Sequence, residues 1–206
     1  MTHLFTVGLT TVLVATVTPA IGSHASANNW FGATGAINSC GANGNRTDAA
    51  PMSFFYSDTT ARITDAGEFV RKNRIQGATD LGTRIHTQQV AKTDVVVLDR
   101  YYVDYCGIEW TSRNSLGQVT GYVLGMSMCR RLTANNRCDS SDVRINLTAA
   151  DQASRGQLRG SFLCHEIGHS IGLKHRVGGS DGCLEIGAHD HTDYTPHDRD
   201  HINSAF

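Results

Sequence analysis

The stretch His165–His175, "HEIGHSIGLKH", constrains this chain more than any other, because it fixes a helix, its end and a cluster of imidazoles together. At 3.6 residues per turn, His165 and His169 share one helix face, so both rings can reach one cation. Glu166 lies about 100° round from His165 and about 60° from His169. There it is close to such a cation but angled away from ligating it. A carboxylate so placed can hold and deprotonate a metal-bound water. Gly172 follows His169 by three residues, where a left-handed cap can end the helix without a Cβ penalty. The chain must turn there, or His175 would continue up the helix and miss the metal. Three neutral imidazoles leave a fourth position open, the catalytic pattern for zinc.

The bland alternative is a core helix with solvated histidines at its end. HExxH alone leaves that alternative open, since short motifs recur by chance. Requiring Gly172 and His175 as well makes coincidence on the order of one in 10⁴, from average residue usage. Leu163, Ile167 and Ile171 occupy the opposite face, and Leu158, Phe162 and Leu173 flank the ligand side. A helix apolar on both sides is central, forming the floor of a cleft.

At 206 residues the chain suits one domain with a sizeable core. Forty per cent apolar residues and a net charge of −1 fit a soluble globular protein, with no basic run to track nucleic acid. The first 45 residues contain no Lys, Arg, Asp or Glu. Within them Leu4 to Val17 is an apolar run, followed by Ala25 and Ala27 in a small-x-small arrangement. Residues 1–27 are read as a secretory signal peptide, because the run falls short of the roughly 20 residues a bilayer needs. Residues 28–51 are expected to be a loose N-terminal segment and 52–206 the catalytic domain. Six cysteines, with no CxxC, suit an exported protein whose thiols pair. A secreted monomer without stable membrane association is expected. Asn-x-Thr sequons occur at Asn45 and Asn146.

Periodicity predicts strands at Met52 to Ser57, around "LGTRIHT", at Asp94 to Val103, along Gly117 to Cys129 and at Asp142 to Leu147. An amphipathic helix is predicted from Thr60 to Ile75. Thr148 with Asp151 resembles a capping box for the long helix, which should run to about Leu173. Gly121 and Gly125 interrupt the fourth strand, as glycines do at an edge or where something approaches the backbone closely. The order argues for an α+β fold, a twisted mixed five-stranded sheet packed on helices.

"HEIGHSIGLKH" matches the HExxHxxGxxH consensus of the metzincin metallopeptidases, and the chain resembles them in element order too. It resembles short secreted bacterial metzincin-like proteins, of the general size of the snapalysin and matrixin catalytic domains. The resemblance implies that His165, His169 and His175 bind one zinc ion and that Glu166 is the general base. It further implies an endopeptidase whose protein or peptide substrate lies extended along the strand near Gly117 to Met128. A non-catalytic secreted zinc-binding protein on the same scaffold is the rival reading. Retention of Glu166 argues against it, because ligation alone does not need that carboxylate.

The resemblance also shows departures. Metzincins carry a methionine in a turn beneath the zinc, but here no Met follows Met128. Leu184, in "DGCLE", stands at about that distance, and Ile186 takes the place where some members have a zinc-binding tyrosine. Tyr194 is read as a pocket-wall or surface residue. If the turn runs as in metzincins, Cys164 and Cys183 come within disulfide reach. Cys129 with Cys138 would close a short loop, leaving Cys40 for Cys106, although fifteen pairings are possible. "CGANGN" at Cys40 is faintly like a matrixin propeptide switch, yet a structural disulfide suits the even cysteine count better. Calcium at "CDSSD", Cys138 to Asp142, lacks a dedicated loop's ligand count. The four histidines and four aspartates after Ala188 make a second metal site conceivable, but without defined ligand spacing they are read as solvated around a final helix that Thr195 caps and Pro196 opens.

Overall fold

A computed structural model describes residues 41, 46–176 and 182–206. The expected signal peptide, Cys40 and Asn45 lie outside the described residues. The main sheet has the order β2-β1-β3-β9-β8, built from β1 (Met52–Ser57), β2 (Thr83–Ile85), β3 (Val95–Arg100), β8 (Gly125–Leu132) and β9 (Cys138–Asn146). The first four in that order run parallel, and β8 closes the edge antiparallel to β9. This is the mixed five-stranded sheet expected from the sequence.

The central strands explain the core. Val95, Val96 and Val97 are all buried, as a parallel strand covered on both faces requires. Buried carboxylates fix the strand ends by accepting hydrogen bonds. Asp94 takes the Ser53 backbone N–H and hydroxyl, both at 2.6 Å. Asp99 takes the N–H and hydroxyl of Thr60, which precedes helix α1 (Ala61–Val70). That helix continues as a π-helical turn, Arg71–Gln76. It buries Ile63, Ala66 and Val70, the amphipathic face that the periodicity marks.

Two small hairpins leave the sheet between β3 and β8, and the first half of the strand expected along Gly117 to Cys129 belongs to the second of them rather than to the sheet. The hairpins are β4 (Asp104–Tyr105) with β5 (Ile108–Glu109), and β6 (Thr111–Arg113) with β7 (Val119–Tyr122). The first turns on Cys106 and Gly107, both at positive φ, the geometry of a primed two-residue hairpin turn. Asn146 ties this region to the sheet. Its buried side-chain amide donates to the carbonyls of Trp110 (3.0 Å) and Val123 (3.1 Å). A glycan on this second sequon would therefore have to displace a core network.

The long helix does not begin where Thr148 and Asp151 suggest. Asn146 instead caps a single short turn, α2 (Leu147–Ala150), accepting from the Thr148 N–H. The chain leaves that turn, and the Ala153 carbonyl is taken by Arg62. A new start follows at Ser154, whose hydroxyl and Gln157 form a complete capping box. From there α3 (Arg155–Gln157), a π-helical stretch (Leu158–Cys164) and α4 (His165–Ile171) run on without a break. The final helix, α5 (Pro196–Ala205), has Thr195 as N-cap with Asp198 completing its box.

Part of the segment expected to be loose is held down. Thr47 is buried and bridges Cys138, and its N–H donates to the Ile171 carbonyl at the end of α4. Disulfides join Cys129 to Cys138 and Cys164 to Cys183. Cys106 is also disulfide-bonded, and Cys40, its expected partner, is not among the described residues. No described helix is long and apolar enough to cross a membrane.

Candidate metal centre

Helix α4 supplies two of the three imidazoles and Glu166. It ends at Gly172, whose φ of 121° only glycine adopts readily. The Leu173 N–H bonds back to the Gly168 carbonyl and the Gly172 N–H to His169, the two bonds of a Schellman ending. The chain therefore reverses at once and brings His175 alongside the helix. The ligand nitrogens of His165, His169 and His175 all lie within 4.8 Å of one another. Nε2 of His165 and Nε2 of His175 are 3.0 Å apart.

The outer nitrogens set the tautomers. The Nδ1–H of His165 donates to the Cys183 carbonyl at 2.9 Å, and that of His169 to the Leu173 carbonyl at 2.7 Å. With Nδ1 protonated, the Nε2 lone pairs point inward, where a metal would take them. Burial, with lesser effects from neighbouring imidazoles, pushes His165 down to about 3 and His169 to about 4. His175 is lowered by burial as well. All three are neutral at physiological pH, the form that ligates. Three converging neutral imidazoles fit zinc, and the exposed His175 side leaves an open approach.

Glu166 is buried beside them, and burial pushes its carboxyl up to about 8, opposed by the Ser127 backbone N–H that donates to it. Gly125 of β8 makes the space. A Cβ there would lie 2.7 Å from Glu166 Cγ and 3.0 Å from the Arg144 carbonyl. The close approach that the strand glycines suggest is thus made by Glu166. The contact with Ser127 had no signal in the sequence, because it comes from a backbone group. Tyr122 to Gly125, Ser161, His165, Glu166, His175 and Ile186 line a cleft of about 330 Å³.

The floor is a turn that passes beneath α4. Leu184 is fully buried. A Cβ on Gly168 would meet Leu184 and Tyr194 at 3.1 Å, so glycine lets the turn pack against the helix backbone. The Arg176 N–H donates to the Leu184 carbonyl and the Cys183 N–H to that of Asp193. Tyr194 is neither at the surface nor on the cleft wall. It is buried, and its hydroxyl donates to the Cys164 carbonyl at 3.0 Å. Its bulk fills the layer under the helix, a role that its isolated position in the sequence does not reveal. Ile186 stays exposed at the cleft rim.

These ionisations predict the pH dependence of the metal-free protein. Between about 4 and 6.5 the unfolded chain protonates the imidazoles of His165 and His169 while the fold keeps them neutral, so stability rises with pH. Glu166 acts oppositely. The fold holds its proton from 4.5 up to about 8, so it removes stability as pH rises through that window. Two imidazoles outweigh one carboxyl below 6.5, and above it Glu166 acts without them. Stability should peak near pH 6.5 and then fall, and the fall should flatten in Glu166→Gln. Urea unfolding of both proteins against pH checks this; an equal alkaline decline in the variant would contradict it.

No curated protein matches the chain in sequence. The family model that does match describes metallo-peptidase family M12B, reprolysin-like, and covers residues 42–176. That span is more than half of the chain and runs from the segment docked on β9 through the sheet and α4 to just past His175. A mixed five-stranded sheet, a helix carrying HExxH, a glycine turn and a third histidine are what a metzincin needs to build its centre. On that match and this architecture, the chain belongs to the reprolysin-like M12B family of metzincin metallopeptidases.

Proposed function

We propose that the protein is a secreted zinc endopeptidase in which His165, His169 and His175 hold the metal and Glu166 is the general base. The observation that carries this reading is the Glu166 carboxyl, buried beside three converging Nε2 atoms and open to the same cleft. A zinc ion bound there would polarise the scissile carbonyl and make water a competent nucleophile near neutral pH.

The chain's own groups do the rest. Glu166 accepts a proton from the attacking water and passes it to the leaving amine. Its high pKa in the metal-free site falls when a cation is bound nearby, since an opposite charge favours the carboxylate. The Ser127 N–H holds the carboxylate on the strand side. The Cys183 and Leu173 carbonyls keep two imidazoles aimed inward. Strand β8 is the sheet edge, so an extended peptide can add to it as a further strand and cross the cleft. That placement favours cleavage inside a chain. The disulfides agree with export to an oxidising compartment.

A peptide with acetylated N-terminus and amidated C-terminus tests the endopeptidase reading. The protein is expected to cut it internally, with both fragments found by mass spectrometry. Turnover only of peptides with a free terminus would overturn it.

A further inference from the structure

We propose that His197 and His201 of α5 form a second site for a divalent transition metal, separate from the three-histidine centre and independent of the peptidase reading. They are four residues apart on one helix, so both rings project from the same face. Their Nε2 atoms lie 3.0 Å apart, the same separation as Nε2 of His165 and Nε2 of His175. The ring centroids are 4.3 Å apart, against 4.6 to 4.8 Å among the three ligand rings. The two imidazoles therefore converge tip to tip, as two ligands of one ion do. Both are half-buried, so a small ion can reach them.

Charged groups of both signs surround the pair. Burial first, and then His197, holds His201 below the usual histidine value. Asp198 and Asp200 act on His201 with negative charge, and Arg46 opposes them. Asp198 itself is committed, since its carboxylate accepts from the Thr195 N–H and hydroxyl. The two imidazoles thus supply two nitrogen ligands from one helix face. Such a donor set selects zinc, nickel or copper over calcium or magnesium. The sequence leaves a second metal here only conceivable, because His197 and His201 are two of four histidines in the tail with no defined ligand spacing. The helix that Thr195 starts is what gives them register.

Bridging positions four apart ties the first turns of α5 together. The Thr195 hydroxyl that caps those turns also accepts from Arg176, at 2.6 Å, next to the third histidine of the centre. An ion on α5 would therefore brace the segment that leaves the catalytic site.

Zinc content of the full chain, equilibrated in a zinc-buffered solution, is the test. The wild type should hold two ions per chain. His197→Ala and His201→Ala should each hold one and keep full peptide turnover. His169→Ala should lose the other ion and keep this one. A single ion in the wild type at saturating zinc would mean that the 3.0 Å contact is a hydrogen bond between the rings, and would overturn the proposal. A second ion that persists in both α5 variants would place it elsewhere and overturn it equally.

Discussion

Glu166→Gln is expected to keep one zinc in the three-histidine centre and to lose about 10²- to 10⁴-fold in peptide turnover, the usual worth of a positioned general base. The amide is nearly the size of the carboxylate, so the space opposite Gly125 stays filled. The ligands are untouched, because His165 and His169 take their orientation from the Cys183 and Leu173 carbonyls. His169→Ala should behave differently, losing the zinc and the turnover together. Zinc content and turnover of the two variants, measured side by side, separate the roles. A folded Glu166→Gln protein with near wild-type turnover would remove Glu166 from the mechanism.

Replacing both Cys164 and Cys183 by Ala should cost about 3 kcal/mol of stability, the entropy of closing a loop of this length. The bond spans 19 positions in sequence, with Cα atoms 5.7 Å apart. It joins the residue before the first ligand to the residue before Leu184. The Cys183 carbonyl also accepts from His165 Nδ1, so loosening the turn frees the ligand's orientation. Loss of such an outer partner typically weakens metal affinity about 10- to 100-fold. Denaturant unfolding and zinc competition against a chelator measure the two effects. Unchanged affinity alongside the lost stability would show that the bridge fastens the turn without serving the metal.

What could be read in advance follows what is local. HEIGHSIGLKH is self-contained, since helical pitch aligns His165 with His169 and a glycine ending returns His175. The strands also announced themselves, because Val95 to Val97 are apolar on both faces and Val143 and Ile145 alternate. The start of the long helix did not, since Thr148/Asp151 and Ser154/Gln157 are both plausible boxes. Which one caps depends on Asn146, whose amide is recruited by Trp110 and Val123 from distant hairpins. Tyr194 was illegible for a similar reason: its burial depends on the turn at Cys183 and Leu184 passing under Gly168. The Ser127 N–H was hidden because backbone donors look alike in every sequence.

On the proposed reading, a metal held by His165, His169 and His175 makes this chain a peptidase. The most direct test is zinc titration of the chelator-stripped protein, followed by cleavage of the doubly blocked peptide. Cleavage should vanish on stripping and return in proportion to zinc until the His165, His169 and His175 centre is filled, with calcium alone restoring nothing. Cleavage that survives complete stripping, or that never appears with the centre filled by zinc, would contradict the account.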